Sequence, residues 1–136
     1  MTLDLGVNYL AVVVAGIAAV VVGFVYYGLT GFRVRWLAMV GKTVAPGSQP
    51  PPASALVGLA AGLVNAWGLA VLGRTVGAST LTDAVVLGLL VWLSFMATLS
   101  GATVAFEERP WGLWLLNNVH HVIIQVVMAA IVVLWR

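Results

Sequence analysis

The chain contains no cysteine and very little charge. Without cysteine there is no disulfide, no thiolate nucleophile and no cysteine-based metal site. Charged residues make up 7% of its 136 positions, whereas an ordinary soluble domain holds about 25%. So few charges are unable to cover a water-facing surface. The six Lys and Arg are scattered, and most stand beside apolar runs. They form no basic face for nucleic acid, and the net charge of +2 reflects scarce acids. Also lacking are a P-loop, a strand-borne G-x-G-x-x-G, an H-E-x-x-H and any nucleophile, base and acid constellation. The reading leans away from an enzyme, and no cofactor is expected.

What the chain has is apolar length. Hydrophobic residues account for 62% of it, with a mean hydropathy of +1.11. A membrane-crossing helix needs about 20 mostly apolar residues. Four segments qualify, at about 7–29, 53–72, 81–106 and 111–135. They are too long and too continuously apolar for barrel strands. The expectation is an all-α, four-transmembrane-helix bundle forming a single integral membrane domain over residues 1–136. The leader "MTLDLGVNYL" carries Asp4 and no Lys or Arg, so the first run reads as a retained span and not a cleaved signal peptide.

The connections differ in character. In the 30–52 loop, Phe32, Trp36, Leu37, Met39 and Val40 mix with Arg33, Arg35 and Lys42. That mixture suits a short interfacial helix. The Pro-rich end of the loop reads as extended, with residues 50–52 a stiff lead into the second span. Asp83 falls in the first turn of the third span, where a carboxylate complements the helix N-terminus. Pro110 suits the first helical position of the fourth. Arg33, Arg35, Lys42 and Arg109 lie on one side, Arg74 and Arg136 on the other. Four against two orients the first group inward and both termini to the exterior or periplasm of a plasma membrane. No internal repeat stands out.

Small residues permit close helix approach, while bulky branched ones suit lipid. On the first span Asn8, Ala15, Gly16, Ala19, Gly23 and Tyr26 share a face. The second offers Gly58, Ala61, Gly62 and Asn65, and the third Ser94, Thr98, Gly101 and Ala105. The fourth carries "NNVHHVIIQ", which concentrates polar groups in apolar surroundings. At about 100° per residue, Asn117, Asn118, His121 and Gln125 form one stripe, and His120 points elsewhere. A polar group facing lipid forfeits hydrogen bonds worth on the order of several kcal/mol. The stripe is therefore expected to face protein or water, with Asn8, Tyr26, Asn65, Ser94 and Thr98 as candidate partners.

Three readings of the stripe compete. It either holds helices together, or lines a binding or conduction path for a small solute, or serves a metal or haem. An imidazole is able to relay a proton near neutral pH, yet no intramembrane carboxylate accompanies His121. Two adjacent histidines on a helix diverge and chelate one metal poorly, and a bis-His haem needs a second subunit. No metal site is expected. A single four-helix bundle has little room for a pore, so conduction calls for a homo-oligomer or a membrane-protein partner.

The segments "VNYLAVVVAG", "YYG", Trp36, "WLSFMATLSGATVAFEERPWGLWLLNNVHH" and Met128 resemble domain-of-unknown-function family 1761. Its members are small multi-pass membrane proteins, mostly bacterial, without an assigned activity. The resemblance implies the same membrane class and four helices, and it implies no substrate. The third-to-fourth helix hairpin carries the most specific part. Asn117 and His121 fit the family pattern, Asn118 and His120 depart from it, and Ala129 stands where Gly often follows the Met.

Overall fold

The computed structural model describes residues 2–43 and 50–136. The apolar runs become helices α1 (Tyr9–Leu29), α3 (Pro52–Thr75), α4 (Leu81–Phe106) and α5 (Trp111–Leu134), each long and apolar enough to cross a membrane. Between the first two lies the short α2 (Phe32–Met39). No strand occurs among the described residues. Most of the Pro-rich end of the first loop, residues 44–49, lies outside them.

Each helix end has a local cause. Asn8 Oδ1 accepts from the backbone N–H of Leu10 and Ala11 at 3.1 and 3.2 Å and caps α1. Pro52 opens α3 where a missing N–H costs nothing. Thr80 and Asp83 form a reciprocal capping box at α4, and Asp83 also accepts from Ser79 N. Pro110 sits at the cap of α5, one position before the first helical residue. Helix α3 runs on to Thr75, which brings Arg74 into its last turn instead of the following turn.

Two helices contain π-helical segments, Val25–Leu29 at the end of α1 and Trp92–Ala97 within α4. Bonding from i to i+5 places more residues in a turn and advances the facing side chains. Neither segment holds a proline, and the pattern of apolar residues gave no sign of either.

Helix α5 occupies the middle of the bundle and packs against α1, α3 and α4, with α2 across its start. The lipid-exposed faces are bulky, including Val13, Ile17 and Phe24 of α1. The buried faces are small. Lipid tails are as apolar as side chains, so cohesion here comes from close packing and hydrogen bonds. At the α1–α3 crossing, a Cβ added to Gly62 would lie 3.1 Å from Gly16 O. Gly58, four residues earlier on the same face, meets nothing within 4 Å. At the α4–α5 crossing, a Cβ on Gly88 would lie 3.0 Å from Gln125 O and from Val126 Cα.

Packing is uneven along the bundle. The apolar core gathers Ala15, Ala66, Leu69, Leu87, Met128 and Val132, in the half nearest the two termini. In the other half, residues 52–58 of α3 are exposed throughout. The chain before α1 is pinned at the packed end. Asp4 N donates to Thr75 Oγ1 at 3.1 Å, and the Asp4 carboxylate pairs with Arg74 at 3.1 Å.

Two outcomes are expected. Gly88→Val drives a side chain into the α5 backbone and should cost about 1–3 kcal/mol, read as a lowered melting temperature in detergent. Asp4 is held below the usual carboxylate range by the Gly6 N–H and then by Arg74. A carboxyl lowered by folding supports the fold above its unfolded value of 3.8 and loses that support as pH falls through the lower folded value. Protection of residues 2–8 against hydrogen exchange, measured relative to the intrinsic rate at each pH, should fall on acidification through that window, and Asp4→Asn should remove that fall.

Candidate functional site

The polar stretch of α5 lies in the loosely packed half, between α1 on one side and α4 on the other. It divides into two parts with different fates. Asn118, 2% exposed, is fully engaged. Its Oδ1 accepts from Trp92 Nε1 at 3.0 Å, and its Nδ2 donates to Ser100 Oγ and to Trp114 O, each at 3.0 Å. Asn117 Oδ1 accepts from the Tyr27 hydroxyl at 2.9 Å, and the Tyr26 hydroxyl donates to Leu116 O at 2.9 Å. Trp114 Nε1 donates to Ala97 O at 3.0 Å, in space left by Gly101. These bonds tie α5 to α1 and α4.

Deeper along α5 the pattern reverses. Both ring nitrogens of His120, Nδ1 of His121 and Oε1 of Gln125 are buried without a hydrogen-bond partner among the described residues. Gln125 is 1% exposed, and its Nε2 donates to the weak acceptor Met96 Sδ. His120 packs between aromatic rings, with centroids 5.5 Å from Tyr26, 5.1 Å from Tyr27 and 5.6 Å from His121. A Cβ on Gly23 would meet His120 Nε2 at 3.3 Å, so that glycine makes room for the ring.

Both imidazoles open on a cavity of about 510 Å³ between α1, α3 and α5. Tyr27, Asn65, Ser54 and Met96 share its wall. A mostly apolar space of this size with a few polar groups in its wall falls within the range of small-molecule sites, roughly 300–1,000 Å³. Its lining holds no Lys, Arg, Asp or Glu, and among the described residues no three His, Asp or Glu side chains converge as metal ligands would. Such a wall brings imidazole, amide and hydroxyl groups together around a space open to a small polar molecule.

The structure separates the candidate partners of the stripe. Asn65 lies across the cavity from the histidines, and Tyr26 lies beside His120. Asn8 is far along α1 and spent on its cap. Ser94 and Thr98 are exposed, and Thr98 Oγ1 donates to Ser94 O within its own helix. The π segment explains this. It shifts the register of α4, so that Ser100 and Val104 face inward where an unbroken helix would have turned Ser94 and Thr98. His120 diverges from the Asn118 and Gln125 side toward Tyr26 and Tyr27 of α1, and it lines the cavity together with His121. Sequence reasoning missed Trp92, Ser100, Tyr27 and Met96. Adjacent tyrosines in "YYG" were the one available signal.

A family model described as "Protein of unknown function (DUF1761)" matches residues 10–133, nearly the whole chain. The chain belongs to this family. No curated protein and no solved structure matches it. The DUF1761 match spans every residue of the polar stretch and of the cavity wall named above.

Asn118→Leu should lower stability by about 1–2 kcal/mol, near the upper end for polar contacts between membrane helices. Most of that loss falls on Trp92, because Ser100 Oγ already bonds Met96 O at 2.6 Å. A double-mutant cycle with Trp92→Phe should therefore show strong coupling, and one with Thr98→Ala none.

Proposed function

We propose that this membrane protein binds a small polar solute in the cavity beside His120 and His121, and that it passes the solute along the wall of α5 without chemical change. The observation that carries the reading is the group of buried imidazole nitrogens lacking a protein partner at the edge of a 510 Å³ cavity. A buried polar group left unbonded costs about 1–3 kcal/mol. Turning those nitrogens toward water or a polar solute in the cavity removes that cost, and a dry interior does not.

A second reading makes the protein a structural or accessory subunit whose polar residues only join helices. The Asn118 bonds favour it for the outer part of the stripe. They do not extend to the histidines. We assign the asparagines to holding the bundle and the histidines, with Gln125 behind them, to the solute path. Conduction across the whole bilayer requires a second copy, since the apolar core closes the other half of this bundle. The excess of Arg and Lys beside α2 supports a plasma-membrane orientation with both termini exterior.

The absence of native cysteine makes the test direct. In sealed vesicles, Ala61→Cys and Asn65→Cys should react with a charged, membrane-impermeant thiol reagent. Val64→Cys, 68% exposed on the lipid face, should not. In intact cells Thr2→Cys should label from outside and Lys42→Cys only after permeabilisation. Silence at both 61 and 65 would remove the solute path.

A further inference from the structure

The second large concavity lies outside the histidine cavity, between α2 and the start of α5. Helix α2 touches the bundle at both ends. At one end the Phe32 ring lies 5.0 Å from Tyr26, which is itself bonded to Leu116 O. At the other, Met39 Sδ sits 3.3 Å from where a Gly112 Cβ would be. Between these two anchors α2 stands off α5 and roofs a groove of about 630 Å³. Its wall is mostly apolar, with Ala38, Leu115, Leu116 and Val119 among the lining residues. Arg35, an exposed residue, is the charged member of that lining.

An open apolar groove under a helix at the end of a membrane span is bathed in lipid, and an acyl chain is the occupant of matching chemistry. Charge selects the headgroup. Residues 30–43 carry Arg33, Arg35 and Lys42 and no acid. Basic pockets beside membrane helices attract anionic headgroups, at about 1 kcal/mol per Lys or Arg near the surface. A guanidinium also presents several donors to phosphate oxygens in a fixed fork, which sets it apart from a general positive surface.

We propose that the groove between α2 and α5 is a binding site for one anionic glycerophospholipid. An acyl chain lies along Leu115, Leu116 and Val119, and the phosphate sits on Arg35. The bound lipid fills the space under α2 and holds it against α5. The site shares only Tyr26 with the surroundings of the histidines, and it stands independently of the solute path.

The purified full chain, stripped of lipid and offered equal phosphatidylglycerol and phosphatidylcholine of the same chains, should retain the anionic lipid preferentially by native mass spectrometry. Arg35→Gln should reduce that preference about tenfold, equivalent to roughly 1.4 kcal/mol, and Arg35→Lys should restore part of it. Leu115→Trp, which fills the groove from an exposed position, should reduce retention of both lipids while the melting temperature in detergent stays unchanged. Lys42→Gln should leave the preference nearly intact. Equal retention of the two lipids by the wild type would overturn the site. So would equal losses from Arg35→Gln and Lys42→Gln, which indicate surface attraction alone. Displacement of the lipid by millimolar inorganic phosphate would also overturn it, since it would show a phosphate site with no role for the chain.

Discussion

Hydrocarbon neither gives nor takes a hydrogen bond. Every polar side chain in the spans of this protein must therefore find its partner within the molecule or in a pocket of water. This constraint fixes the rotation of α5. With Asn118 and Gln125 at 2% and 1% exposure, the helix is locked in one orientation about its axis. The others are arranged around it. Helix α4 supplies Trp92 and Ser100, and α1 supplies the two tyrosines. The central position of α5 follows from its carrying the polar groups that need covering.

Much of this was legible in composition alone. Scarce charge and four long apolar runs define the class and the helices. The clustering of polar residues on the last run marks which helix organises the others. Small residues on α1 and on the middle of α3 indicate where backbones approach. Hidden from such reading were the two places where the helical repeat changes. A π segment arises when tertiary contacts outweigh the slightly better bonding of the α-helix, so no local residue announces it. Its effect is nonlocal. Ser94 and Thr98 look like partners for α5 under uniform rotation, and the shifted register brings Ser100 in their place. On α1 the same kind of segment carries Tyr26 and Tyr27 at the contact with His120. The partition of the stripe was equally unreadable, because it depends on what lies opposite each side chain.

The bundle is divided by depth. Near the termini, alanine, leucine and valine close around Met128. Toward the first loop the asparagines are bonded, the histidines are not, and the first turns of α3 are exposed. Rigid and open regions thus share the same four helices. The packed half holds the angles between helices, and this allows the other half to keep a space that would otherwise collapse. Both concavities, the one beside His121 and the one under α2, lie in that half.

The π segment in α4 sets a condition on chain length. Residues 92–97 contain one position more than an α-helix needs to cover the same rise. The π turns absorb that extra position. Were the α repeat to run through all six residues, the outer half of α4 would turn by about a quarter of a circle or more, since each residue accounts for about 100°. Ser100 and Gly101 would swing toward the acyl chains, and Trp114 and Asn118 would face the wrong side of their neighbour. Exchanging Leu93 or Phe95, both exposed, for another apolar residue disturbs none of this. In this stretch the number of residues carries more structural information than the identity of most of them.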